Sequence, residues 1–302
     1  MNNKSPLRYP GGKTRACAIL NNVFQEQFDA SLFDTVVSPF FGGGSFEFFL
    51  QHKYGYNILA NDKFTPLYSF WQNCKENKEE LSTRLEKTVT SINMTKGDFC
   101  SYRNGIMQLT DPLEQAISYF IINRCSFSGS TLSGGFSEDA SKKRFTPSSI
   151  QKIKNLDLTG VDFLNIDATD MIQQHRTSDK QFLFLDPPYQ LEKKSTLYGL
   201  RGDLHVRFDH LKLYETVRHQ QNWILTYNNS DWIKELYKEF HIHEVDWKYG
   251  MNKSKQSSEI VIISKVKGSL ASPKLQGDYW QSKRHRLPRS ASVFSSAGLT
   301  VR

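Results

Sequence analysis

An acid, two prolines and an aromatic ring close an apolar run at Phe182-Leu-Phe-Leu-Asp186-Pro187-Pro188-Tyr189. Adjacent prolines fix the backbone and withhold N–H groups from any ladder, so the carbonyls and flanking side chains turn outward. A carboxylate, a carbonyl and a ring are the parts needed to hold a planar exocyclic amine. Such an amine has its lone pair delocalised into the ring it is attached to, and it becomes nucleophilic when acceptors draw on its protons. On this reading Asp186 and the Pro187 carbonyl accept from the N6 amine of an adenine, and Tyr189 stacks on the base once it has left the duplex. The plain alternative is a strand-terminating turn, with Asp186 as a cap and Tyr189 in the core.

A second candidate is Ser38-Pro39-Phe40-Phe-Gly42-Gly-Gly44-Ser45, which follows a short apolar run and opens a helical pattern. Glycines there let the backbone turn tightly and approach a ligand, although many nucleotide sites share such a loop. The next apolar run ends in Asn61-Asp62. An acid after the second strand is placed to grip the ribose hydroxyls of an adenosyl group, or else to cap the helix that begins near Pro66. Nearer the start, Leu7-Arg8-Tyr9-Pro10-Gly11-Gly12-Lys13 joins an aromatic, a tight turn and a lysine. Lys13 can reach a carboxylate and Tyr9 can pack on a flat or cationic group such as a sulfonium; the alternative is an ordinary turn with a solvated lysine.

Positioning these groups calls for strands that deliver them to one edge. Strands are expected near Thr35–Val37, Asn57–Ala60, Asp162–Asn165, Phe182–Leu185, Trp223–Tyr227, Ile242–Trp247 and Ile260–Ser264. Helical patterns cover Gly12–Phe24, Ser45–His52, Pro66–Cys74, Leu113–Asn123, His210–Gln220 and Trp232–Glu239. The alternation predicts an α/β fold, a mostly parallel Rossmann-like sheet covered on both faces, with ligands bound beyond the carboxyl ends of the strands. Between Asn123 and about Ile150 the rhythm breaks into Ser, Gly, Lys and Arg with isolated Phe, which reads as a loop-rich insertion. The polar stretch Glu76–Asp111 is helix-compatible and is grouped with it.

The net charge of +8 invites a nucleic-acid reading, but seven Lys/Arg against one acid from Lys267 to Arg302 carry +6 of it. Any claim that the body binds DNA therefore rests on local motifs. The insertion supplies some: Arg124, Lys142, Lys143 and Arg144 lie there among Phe127, Phe136 and Phe145. Basic side chains neutralise phosphates or meet guanine edges, and a ring can wedge into the base stack; the alternative is a solvated face. Lys193 and Lys194 are further phosphate-contact candidates, and His205 and His210 read as local structure. The four widely spaced cysteines form no CxxC pair, so neither a metal site nor redox chemistry is expected. No apolar run is long enough to span a bilayer, and a cytoplasmic protein is the expectation.

Taken together, residues 4–265 resemble the Dam-type family of DNA adenine-N6 methyltransferases. The likeness rests on Arg8-Tyr-Pro-Gly-Gly-Lys13, Pro39-Phe-Phe-Gly-Gly-Gly-Ser45, Asn61-Asp62, Asn123-Arg-Cys-Ser-Phe127-Ser-Gly129, Asp186-Pro-Pro-Tyr189, Trp223–Asn228 and Ser258-Glu-Ile260. It implies S-adenosylmethionine as cofactor, contacted by or near Tyr9, Lys13, Pro39, Phe40, Gly42, Gly44, Asp62 and Asp186, with Asp167 on the cofactor's adenine amine. It also implies that Arg124 through roughly Phe145 leads the reading of double-stranded DNA. Ser38 stands where the family often carries Glu, and Tyr9 where it often carries Trp.

The expected layout is a cofactor part at 1–75, a DNA-recognition insertion at 76–155, a catalytic part at 156–266 and a flexible basic tail at 267–302. The activity expected is site-specific transfer of a methyl group to adenine N6, with a restriction enzyme acting on the same site as a possible associate without stable complex. N4-cytosine or RNA adenine methylation, and a catalytically silent DNA-binding module, are the alternatives.

Overall fold

A computed structural model describes residues 3–9, 11–175, 178–189, 208–248 and 256–264. Lys193, Lys194, His205 and the basic run 267–302 lie outside the described residues. Seven strands are described: β1 (Thr35–Ser38), β2 (Asn57–Asn61), β3 (Val161–Leu164), β4 (Gln181–Leu185), β5 (Trp223–Asn228), β6 (His241–Lys248) and β7 (Gln256–Ile263). They form one sheet in the order β3-β2-β1-β4-β5-β7-β6. The first five are parallel to one another, whereas β7 runs antiparallel between β5 and β6. This is the mostly parallel, Rossmann-like α/β sheet expected from the sequence.

Alternate residues of the central strands feed two separate cores. Val36, Phe182, Phe184, Ile224, Val261 and Ile263 face one apolar layer. Val37, Leu183, Leu185, Leu225, Ile260 and Ile262 face the other. A strand buried on both faces is apolar throughout, which is why these segments read as short continuous runs. Chain order reverses direction between β1 and β4, so the crevice beyond Ser38 and Leu185 is the topological switch point, where open α/β sheets bind ligands.

Among the described residues the α-helices are α1 (Cys17–Gln27), α2 (Ser45–Tyr54), α3 (Thr65–Glu76), α4 (Lys78–Ser91), α5 (Lys96–Gly105), α6 (Pro112–Cys125), α7 (Glu138–Arg144), α8 (Pro147–Lys154), α9 (Ala168–His175), α10 (His210–Val217) and α11 (Asp231–Leu236). The helix expected from Gly12 instead starts as a 3₁₀ turn over Lys13–Arg15 before α1. The stretch read as loop-rich to Ile150 contains α7 and the first residues of α8, and this is a correction. Helix α7 has no apolar period to betray it; Ser137 caps it by accepting from the Ala140 amide, and Lys142–Glu138 and Lys143–Asp139 pairs tie successive turns. Leu81, Leu85, Phe99, Phe120 and Ile150 share their apolar cluster with Val36 and Phe182, so the helices of 76–155 pack into the sheet's own core. Among the described residues no helix is long and apolar enough to cross a membrane.

Candidate active site

Asp186 leaves β4 at the switch point with its side chain 22 % exposed. The Lys13 ammonium, 3 % exposed, lies 2.7 Å from one carboxylate oxygen and 2.8 Å from the other. Thr226, a polar residue inside the buried run of β5, donates its hydroxyl to Asp186 Oδ1 at 2.6 Å. The Tyr189 hydroxyl donates to Glu259 Oε2 at 2.7 Å and lies 3.3 Å from Asp186 Oδ1. Lys13 Nζ stands 5.1 Å from the Tyr189 ring centroid. The lysine is thus a buried partner of the acid rather than a solvated side chain, although 173 positions separate the two. Pro187 is buried, and Pro188 and Tyr189 are half-buried at the rim.

The glycine loop is locked from three sides. Asn61, buried at the end of β2, donates to the carbonyls of Pro39 and Ile166 and accepts from the Ile166 amide. Trp71 Nε1 donates to the Gly42 carbonyl, while the Gly42 amide donates to Asp62 Oδ2. Gly42 has φ +50°, and a Cβ there would meet the Tyr9 ring at 2.7 Å; Gly44, at φ +66°, lies against the Phe41 ring. Both positions need the left-handed backbone and the missing side chain together. Tyr9 thus covers the loop, and Phe40 makes an edge contact with Phe208 at 5.6 Å.

Asp62 and Asp167 stand at the carboxyl ends of β2 and β3. Asp62 also accepts from the Phe64 amide; burial pushes its carboxyl up to about 6 against the pull of the two amides. Asp167 accepts from Lys63 Nζ at 2.8 Å and from the hydroxyl and amide of Thr169. Burial alone would raise its pKa, but these donors together hold it well below the usual carboxylate range. Next to the end of β1, Ser38 donates to Glu47 at 2.5 Å, and both are buried. A carboxyl from α2 therefore stands beside position 38 even though that residue is serine. Burial, aided by the nearby Asp186 charge, pushes Glu47 up to about 7 although Ser38 and the Lys13 charge oppose the shift.

Thr226 and Glu259 lie in runs that carry the family likeness but were given no role from the sequence, and Glu47 was not singled out at all. Each did carry a signal, being a polar residue on an otherwise apolar buried stretch. Asn228 ends β5, and its Oδ1 is a buried acceptor with no hydrogen-bond partner among the described residues.

The recognition candidates separate sharply. Arg124 is 7 % exposed; its Nε donates to the Arg144 carbonyl and its Nη1 to the Pro6 carbonyl. Burial, then Arg8 and Arg144, lower its guanidinium to about 10. A direct DNA contact by Arg124 is thereby corrected: it braces the segment from within. Phe145 is buried and Phe136 packs on Phe99, whereas Phe127 is 68 % exposed. Lys142, Lys143 and Arg144 line the exposed side of α7. His210 meets the Tyr227 hydroxyl at 2.7 Å between the rings of Phe208 and Trp232.

Among the described residues no His, Cys, Asp and Glu side chains group as metal ligands. A search of curated proteins gave no match at a significant level. The family model described as D12 class N6 adenine-specific DNA methyltransferase matches residues 9–251, which include the glycine loop, Asp62, Asp167 and the Asp186–Tyr189 turn. With most of its length covered, the chain belongs to the D12 class N6 adenine-specific DNA methyltransferases and is an enzyme that methylates adenine in DNA.

Proposed function

We propose that the methyl donor is S-adenosylmethionine and that Asp186, Pro187, Pro188 and Tyr189 form the target-base site. The observation that carries this reading is that Asp62, Asp167 and Asp186 each follow the carboxyl end of a parallel strand, β2, β3 and β4, on the sheet edge that holds the switch point. The residues suit the cofactor chemically. Asp62 would hold ribose hydroxyls and Asp167 an exocyclic amine, and Phe40 and Tyr9 offer rings beside a loop whose glycines let Tyr9 and Phe41 pack against its backbone. Asn228 Oδ1 is an acceptor awaiting a donor. S-adenosylmethionine, when bound, supplies the methyl group on a sulfonium.

Asp186 and the Pro187 carbonyl accept from the two amine protons and restore the lone pair. Tyr189 stacks on the extruded base, and Lys13 holds the Asp186 carboxylate in place before the base arrives. Methyl transfer to nitrogen needs no covalent enzyme intermediate, so the protein's contribution is alignment and polarisation.

Asp167→Ala is expected to weaken S-adenosylmethionine binding roughly ten- to a hundredfold, the worth of a hydrogen bond to a charged group. The fold should lose only about 1 kcal/mol, the worth of the cap that Asp167 gives the Thr169 amide, because the partner Lys63 is 63 % exposed and such pairs contribute little. Calorimetric titration decides; affinity within twofold of the parent removes Asp167 from the cofactor site.

We assign DNA reading to the 76–155 segment, between a cofactor part at 1–75 and a catalytic part at 156–266. Phe127 is the wedge, and Lys142, Lys143 and Arg144 meet phosphate or base edges. Its home is a bacterial or phage-infected cytoplasm, where a restriction enzyme cutting the same site is the natural associate. Phe127→Ala should leave the melting temperature unchanged and lower kcat/KM on duplex DNA roughly five- to a hundredfold, with a weaker 2-aminopurine signal at the target base. Arg124→Ala should instead destabilise the protein by about 1–3 kcal/mol, because two backbone carbonyls lose their donor. The opposite pattern, a stable Arg124→Ala that has lost DNA affinity beside an unaffected Phe127→Ala, reverses the two roles.

A further inference from the structure

Glu259 lies in the Ser258-Glu-Ile260 run, past the residues 9–251 that the family model matches, and has no part in the chemistry described so far. Because β7 runs antiparallel, its early residues reach the rim formed by the carboxyl ends of the parallel strands, and Glu259 pairs in register with Asn228. Its side chain is 2 % exposed, beside the wholly apolar Ile260-Val-Ile-Ile263. A carboxylate buried there is costly unless paired, and among the described residues the Tyr189 hydroxyl at 2.7 Å and the Lys13 ammonium at 3.9 Å stand against it.

Lys13 therefore sits between two carboxylates at unequal distances. In this arrangement both oxygens of Asp186 are occupied by Lys13, and one also by Thr226. Among the described residues Oδ1 takes Lys13 and Thr226 whereas Oδ2 takes Lys13 alone, so an incoming amine enters at Oδ2 and competes there with the ammonium for the carboxylate's charge. The Glu259 carboxylate is about 1.2 Å farther from the ammonium than Asp186, so a small shift exchanges one ion pair for another without leaving the charge unpaired.

We propose that Glu259 is a positioning residue for methyl transfer, fixing the Tyr189 ring through its hydroxyl and receiving the Lys13 ammonium when the target amine takes up Asp186. The inference rests on the reading of Asp186 as amine acceptor and Tyr189 as stacking platform. Glu259→Gln keeps an acceptor for Tyr189 but offers no negative charge to Lys13, which stays on Asp186. Tyr189→Phe keeps the ring and both anchors of the lysine.

The test uses the full chain with tritiated S-adenosylmethionine and unmethylated genomic DNA. Glu259→Gln is expected to lower kcat about tenfold or more with KM for DNA within twofold, as a misplaced reacting group does. Tyr189→Phe should lose about threefold. Glu259→Asp, which keeps the charge on a shorter stem, should fall between Glu259→Gln and the parent. A kcat for Glu259→Gln within twofold of the parent overturns the proposal. Equal losses in Glu259→Gln and Glu259→Asp with matching falls in melting temperature also overturn it, since that pattern belongs to packing. Asp186→Asn, run alongside, separates the two levels. If it remains active, the reading of Asp186 itself fails; if it is inactive beside a fully active Glu259→Gln, only the part given to Glu259 is rejected.

Discussion

Asp186→Asn is expected to lower kcat at saturating cofactor and DNA by a hundredfold or more, while circular dichroism and cofactor binding change little. Removing one well-placed electrostatic partner of the reacting group costs two to three orders of magnitude in comparable sites, about 2.7–4 kcal/mol. The amide keeps the shape of the side chain, and its oxygen can still accept from Thr226, which is buried beside it. Lys13 loses its nearest carboxylate but retains Glu259 within 3.9 Å, so the ammonium is not stranded. Turnover and unfolding therefore separate in this variant. Turnover above a tenth of the parent's would dismiss Asp186 as the amine acceptor. A loss of activity that tracks a collapse of the melting temperature would make its role structural.

The second large effect concerns pH and Glu47. Its carboxyl is pushed up to about 7 in the folded protein, whereas an exposed glutamate titrates near 4.3. Between those values the folded chain holds a proton that the unfolded chain has released. Stability is then fully present below the unfolded value, falls as pH rises through the interval, and has lost its whole contribution above about 7. The interval corresponds to a few kcal/mol, about 3–4 at most.

Glu47→Gln cannot ionise, and its amide oxygen can still accept from Ser38. The variant should match the parent near pH 4.5 and exceed it by up to about 3 kcal/mol at pH 8. Urea unfolding at pH 5, 6, 7 and 8 measures this directly. Asp62, pushed up to about 6 by burial, acts with the same sign, so some slope will remain in the variant. A stability difference between the two proteins that does not vary with pH contradicts a neutral buried Glu47.

The sequence by itself determined the strands, the glycine loop and the acid that ends β4. Each is written within a few consecutive residues: an apolar run bounded by turn formers, a glycine where φ must be positive, a pair of prolines that ends a ladder. The order of these local signals points to a mostly parallel sheet with its chemistry beyond the carboxyl ends of the strands, whereas the strand order, and with it the switch point, belongs to the tertiary structure.

Only the tertiary structure decided which polar residues stand together there and which of the basic and aromatic residues face outward. Arg124 and Arg144 look alike in the sequence, yet Arg124 is enclosed because its guanidinium meets carbonyls 20 and 118 positions away. Phe127 and Phe145 likewise differ through packing rather than local pattern. Helix α7 is short and held by a cap and ion pairs, which leave no hydrophobic period to read. Glu259 joins the site because a strand inserted in the antiparallel sense brings its opening residues to the rim, a matter of register between segments far apart in the chain. Local periods encode secondary structure, whereas burial and ion pairing are set by contacts whose partners the intervening chain does not specify.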